Sequence, residues 1–82
     1  MLAVWFVYVL KSLKDDELYI GSTNSIHRRL AEHNSGKVES TRYRIPLTLE
    51  AYVAVRDQAR AIELERYLKT GSGKAMLRKR IL

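Results

Sequence analysis

A carboxylate stands where an apolar residue belongs. At ~100° per residue, the segment after Asp57 lays Ala61, Ile62, Leu64 and Leu68 along one arc, and Glu65 falls inside it while Glu63 and Arg66 do not. An acid desolvated in this way needs a cation, and the candidates are Arg29, Lys69 or a bound divalent ion. The purely structural alternative is an i,i+4 ion pair with Lys69. An earlier segment puts Ile26, Leu30 and His33 in one arc with Arg29 at its edge, so a guanidinium and an imidazole are neighbours. Together they can offer two donors to a phosphate; alternatively, the arginine stem lies on the core with its head in water. Tyr8 and Tyr19 sit in apolar runs, where packing is the first role of tyrosine. Gly71-Ser72-Gly73-Lys74 lacks the spacing of a Walker A loop and follows a helical pattern, so it reads as a helix break whose amides and lysine can touch phosphate.

Stepwise elements must bring these residues together. Val4 to Leu10 is a short, Val- and aromatic-rich run ending at Lys11-Ser12, as expected of a central strand. A turn at Lys14-Asp15-Asp16 leads to a second strand, Leu18-Tyr19-Ile20, ending at Gly21, and the two should pair as an antiparallel hairpin. Ser22-Thr23-Asn24-Ser25 offers N-caps for a first helix that Asn34-Ser35-Gly36 stops. A basic loop from Lys37 to Arg44 precedes Pro46, and Leu47 to Val55 alternates with Leu47, Leu49, Ala51, Val53 and Val55 on one side. Asp57 caps a second helix to about Thr70, and Lys74 to Arg80 reads as a short basic terminal helix. The order ββαβαα gives an α+β domain with three antiparallel strands, and because the first strand is apolar on both sides, helices must cover the sheet.

Composition sets the boundaries of function. Eighty-two residues, 46% hydrophobic and 29% charged, enclose one core and make one globular domain. The lack of cysteine excludes disulfides and thiolate metal sites, as suits a reducing cytoplasm, and two histidines do not make a zinc site. The run Leu2 to Leu10 is far shorter than the ~20 residues of a membrane span, so no membrane partner is expected. Fifteen Lys and Arg against nine Asp and Glu leave a net charge of +6, which favours polyanions.

Taken together, Val7-Tyr8-Val9, Tyr19-Ile20-Gly21, Arg29, His33 and Glu65 resemble the GIY-YIG nuclease pattern in order and spacing, over essentially the whole chain. Tyr19-Ile20-Gly21-Ser22-Thr23, His33-Asn34-Ser35-Gly36 and Leu68-Lys69-Thr70-Gly71 are similar to short stand-alone bacterial members of that family. One position departs: Phe6 stands where the family name expects glycine, which changes how closely a substrate approaches the first strand. The resemblance implies a three-stranded antiparallel sheet flanked by helices, and a metal-dependent endonuclease acting on DNA or RNA, with DNA repair or processing as a setting. It implies Glu65 as the sole protein ligand of one Mg²⁺ or Mn²⁺ ion, Arg29 as the phosphate-holding cation, Tyr8 as general base, and Tyr19 and His33 as its positioning partners. A phenol with a pKa near 10 needs a cation beside it to serve as a base, so Arg29 or the metal is expected there. Lys37, Arg42, Arg44, Lys74, Arg78, Lys79 and Arg80 are the expected nucleic-acid backbone contacts. The rival expectations are a non-catalytic nucleic-acid-binding domain on the same scaffold and a basic protein-interaction factor; a monomer or weak dimer suits all three.

Overall fold

The computed structural model describes residues 4–82; Leu2 and Ala3, at the head of the apolar run, lie outside the described residues. Strand β1 (Trp5–Ser12) is central, with β2 (Leu18–Thr23) and β3 (Leu47–Val55) antiparallel on either side. Helices α1 (Ile26–Asn34), α2 (Gln58–Leu68) and α3 (Gly71–Met76) complete the expected α+β order, and a π-helical turn follows at Leu77–Ile81. Ser25 caps α1 through Arg28 N–H, Asp57 caps α2 through Arg60 N–H, and Gly36 takes the left-handed φ of 80° that turns the chain after α1.

Successive residues of β1 feed two different cores. Val7 and Val9 pack with Ile20, Ala61, Leu68 and Leu77 beneath α2 and the terminal helices. Tyr8 and Leu10 pack with Leu47, Leu30 and Leu49 on the α1 side. Each of these aliphatic side chains contributes about 1.5–3 kcal/mol through burial. Helices therefore cover both faces, as the two-sided apolar run requires.

Three boundaries and one facing pattern differ from the sequence reading, each for a local physical reason. β1 runs on to Ser12, whose buried hydroxyl donates to the Arg44 carbonyl at 2.6 Å and accepts from the amides of Lys14 and Asp15. β2 continues through Gly21 to Thr23 because those residues still pair with β1. The alternation in β3 does not lie on one face: Val9 pairs with Ala51 but Leu10 with Leu49, so Glu50 is a bulge. Leu47 and Leu49 consequently join the α1-side core while Ala51 and Val55 join the α2-side core, and Val53 stays exposed. Finally, Gly71-Ser72-Gly73 opens α3 rather than breaking a helix; the break falls at Lys69-Thr70, where Thr70 Oγ1 caps Gly73 N–H. Ile62 is also exposed, which narrows the buried arc of α2 to Ala61, Leu64 and Leu68.

The α2–α3 corner depends on one glycine. A Cβ on Gly73 would lie 2.1 Å from the Tyr67 carbonyl oxygen, whereas one on Gly71 would meet nothing within 4 Å. Gly73→Ala is expected to lower the melting temperature by an amount equivalent to at least about 1 kcal/mol, while Gly71→Ala is neutral or stabilises by up to about 1 kcal/mol. Thermal unfolding followed by circular dichroism distinguishes the two.

Candidate active site

The Tyr8 side chain leans from β1 across β2, and its register partner there is Gly21. A Cβ at Gly21 would fall 2.4 Å from the Tyr8 hydroxyl oxygen, so only glycine lets the phenol lie where it does. The hydroxyl meets His33 Nε2 at 3.0 Å, and His33 Nδ1 meets Thr41 Oγ1 at 2.7 Å. His33 and Thr41 are both 0% exposed, so this hydrogen-bonded row is sealed from water at its inner end. Tyr19 closes the imidazole from the side, ring centroids 4.9 Å apart at 65°. Arg29, one turn before His33 on α1, stands beside Tyr8 and also holds Glu32 at 3.0 Å.

The loop carrying Thr41 is pinned at both ends. Asn34 clamps Leu47 by accepting from its amide at 2.7 Å and donating to its carbonyl at 2.9 Å. The Ser12 bond to the Arg44 carbonyl fixes the later part of the loop against β1. Between these anchors, turns closed by Thr41 N–H to Val38 and Arg44 N–H to Thr41 present Thr41 to the imidazole.

Electrostatics follow from this burial. Desolvation pushes the Tyr8 phenol above its ordinary 10; Arg29 pulls it back, and the Tyr19 phenol and the Glu65 carboxylate add to the rise. The sequence expectation of a cation beside Tyr8 is met, but burial outweighs it, and the phenol is held protonated. Burial also lowers His33 to about 4, with Arg29 adding to the drop and Glu32 opposing it. The imidazole is therefore neutral at pH 7, with one ring nitrogen free to accept.

Glu65 arrives on the opposite face of the same edge strand. Its Oε1 accepts from the Ser22 hydroxyl at 2.7 Å and its Oε2 meets Lys69 Nζ at 2.7 Å, with the carboxylate side chain 21% exposed. The ion pair with Lys69 thus exists, alongside a partner the sequence reading did not name. Tyr8 and Glu65 are anchored at consecutive residues of β2, Gly21 and Ser22, which direct neighbouring groups to opposite faces. They remain close enough for the carboxylate charge to act on the phenol. Among the described residues no group of three His, Cys, Asp or Glu side chains gathers around one point.

The basic residues divide. Lys37 and Arg42 are exposed on the loop, with Arg42 lying 4.9 Å over the Tyr43 ring. Arg44 turns inward to Asp15 at 3.1 Å and to the Leu18 carbonyl. Lys74, Arg78, Lys79 and Arg80 are exposed on α3 and the π-helical turn, elements that pack on the sheet face opposite Tyr8. They form a basic region separate from the one around Arg29. Thr41 and Ser22 are the site residues that sequence reasoning missed: Ser22 adjoins a recognised motif, but Thr41 sits in a polar loop with no periodicity to single it out.

A family model described as the GIY-YIG catalytic domain matches residues 4–79. A UPF0213 protein of Bacillus licheniformis is 40% identical over 70 residues, which span 84% of this chain and 71% of that protein. A UPF0213 protein of Photorhabdus laumondii is 41% identical over 66 residues, 79% of this chain but 62% of that protein, so the chain spans less than two thirds of this relative. The solution NMR structure of a UPF0213 protein from Bacillus halodurans superposes with a TM-score of 0.55 at 34% identity, covering 90% of this chain and 81% of the other.

The His33 row sets a stability profile. Unfolding raises the histidine from about 4 to about 6.5, so the unfolded chain binds the extra proton between those values. Stability should be full above about pH 6.5 and fall by roughly 3 kcal/mol as the pH drops towards 4. Thermal melts across that range check the slope, which His33→Gln should flatten. Thr41→Val, which strands a buried ring nitrogen, should cost about 1–3 kcal/mol, and Thr41→Ser should cost less.

Proposed function

The chain belongs to the GIY-YIG catalytic-domain family, and from that premise we propose that it is a divalent-metal-dependent endonuclease hydrolysing phosphodiester bonds in nucleic acid, DNA foremost. The observation that carries this reading is the meeting of a phenol–imidazole pair and a lone carboxylate at Gly21 and Ser22, with a guanidinium alongside.

Each side chain has a task its surroundings suit. Arg29, partly exposed and always charged, holds the non-bridging oxygens and offsets the charge that grows on them. Tyr8 takes the proton of the attacking water, directly or through a second water, and must first release its own. His33, neutral and 3.0 Å from the hydroxyl oxygen with its far nitrogen held by Thr41, accepts the phenol's hydrogen bond and orients it. Burial leaves the imidazole too weak a base to keep that proton, so its release to water relies on Arg29 and on the ion that Glu65 would hold. Tyr19 keeps the imidazole in plane by ring packing.

Glu65 is the residue that would hold the ion. A single partly exposed carboxylate beside a hydroxyl suits Mg²⁺ or Mn²⁺, hard cations that keep several waters, and does not suit metals that prefer sulfur. When bound, such an ion supplies Lewis-acid polarisation of the phosphodiester and stabilises the leaving oxygen. Lys69 occupies Oε2 otherwise, keeping the carboxylate paired.

One second reading has its own support. The protonated state of Tyr8 and the Lys69 pairing of Glu65 are also what a domain that only binds nucleic acid would keep.

The two readings part on cleavage of duplex, nicked, branched and single-stranded substrates. As an endonuclease, the protein should cut in Mg²⁺ or Mn²⁺ and stop in EDTA. Glu65→Ala and Arg29→Ala should abolish cutting. Tyr8→Phe should slow it by about 10²–10⁴-fold, well beyond the about 1–3 kcal/mol of stability lost with the hydroxyl's bond to buried His33. Binding without cleavage on every substrate, or equal loss of activity and stability in Tyr8→Phe, sinks the nuclease reading.

A further inference from the structure

We propose that Phe6 and Tyr52 form an aromatic shelf that stacks an unpaired nucleobase next to the phosphate held at Tyr8 and Arg29, so that the chain selects single-stranded or splayed nucleic acid. The inference rests on the nucleic-acid partner proposed above and names the form of that partner.

The shelf lies on the Tyr8 face of the sheet. Phe6 is two residues before Tyr8 on β1 and so shares its face, and Tyr52 is the direct β3 partner of Tyr8. The Phe6 and Tyr52 rings stand 5.9 Å apart at 70°, an edge-to-face pair that fixes both. α1 covers the other end of this face, where Leu30 packs with Leu10 and Leu47, and leaves Tyr52 56% exposed. Tyr52 thus offers an open ring face whose position a second ring holds.

Three features favour a base over another occupant. Cations flank the shelf: Arg28 reaches Thr23, the β2 partner of Phe6, and Arg56 follows β3 directly after Val55. Those charges suit the phosphates on either side of a stacked base and repel a second copy of a chain carrying +6. The cross-strand spacing between Tyr8 and Tyr52, about 5 Å, puts the shelf within reach of the nucleotide adjoining a phosphate at Tyr8. Finally, Phe6 occupies the position where the family motif has glycine, so a ring has been placed where the backbone would otherwise be bare. Bases in a duplex are stacked on each other and do not present a face to such a surface; unpaired ones do.

The test is binding, measured in EDTA so that no strand is cut. Fluorescence anisotropy with the full chain compares a labelled oligothymidylate, its uridylate counterpart and a duplex of equal length. Tyr52→Leu and Phe6→Leu should each weaken binding of both single strands by about 5- to 150-fold. Tyr52→Phe, which keeps the ring, should stay within about twofold of the parent, as should duplex binding by all three variants. Replacing bases of the oligothymidylate by abasic sites should reproduce the loss, and circular dichroism melts verify that each variant is folded. Loss of equal size on duplex and single strands, failure of Tyr52→Phe to restore binding, or no loss at all overturns the proposal. So does a change in sedimentation of the free protein in Tyr52→Leu, which would mark the shelf as a contact between copies. A chain that prefers single strands but never cuts them keeps the shelf and loses the nuclease reading; one that cuts with no such preference does the reverse.

Discussion

The burial of β1 on both faces is the constraint from which the rest follows. A strand of eight residues supplies Val7 and Val9 to one core and Tyr8 and Leu10 to the other, so no residue in its middle can be polar without a partner. Tyr8 is polar at one atom, and that atom finds His33. His33, buried in turn, has a second nitrogen to satisfy, and Thr41 satisfies it. The candidate site is the row of groups that burial of one hydroxyl obliges, ending where Arg29 and the open edge of β2 meet solvent. The same burial sets the chemistry: it raises the phenol and lowers the imidazole, so the pair starts with the proton on oxygen and an empty acceptor beside it.

Much of this was legible from residue order. The cap at Asp57, the stop at Asn34-Ser35-Gly36 and the arc of Ile26, Leu30 and His33 are local patterns, and local patterns survive folding. Glu65 stood out because a carboxylate interrupts an apolar arc, and it is indeed half-buried with two partners. Thr41 could not stand out, because its role comes from a loop pinned at Asn34 and Ser12, contacts that join residues far apart in sequence. The bulge in β3 was hidden for the opposite reason: apolar residues at every second position read as one face, and nothing in residue type reveals that the ladder slips between them. Gly21 was taken as the end of a strand, since glycine usually weakens one; here it sits inside β2 because a phenol needs the space.

Charge is less concentrated than composition suggests. The excess of Lys and Arg divides between the Arg28–Arg29 side and the terminal helices on the other side of the sheet, while Arg44 is spent on the turn that carries Asp15. A polyanion is drawn to the whole molecule but can be oriented only where a cation stands beside groups with fixed geometry. That condition is met at Arg29, and the Arg42–Tyr43 pair is a second cation held against a fixed ring, on the loop.

The slip at Glu50 gives β3 one dispensable position. Leu49 and Ala51 already face opposite cores and already pair with adjacent residues of β1, so removing the residue between them would close the ladder into regular pairing with every other side chain left on its present side. Loss of Leu49 or Ala51 would instead leave Glu50 at a core position, and a deletion farther along the strand would invert the residues between it and the bulge, turning Leu49 or Tyr52 to the other face. Length variation in this chain therefore has a tolerated place within a regular element, at the point where a lost codon costs no change of sidedness.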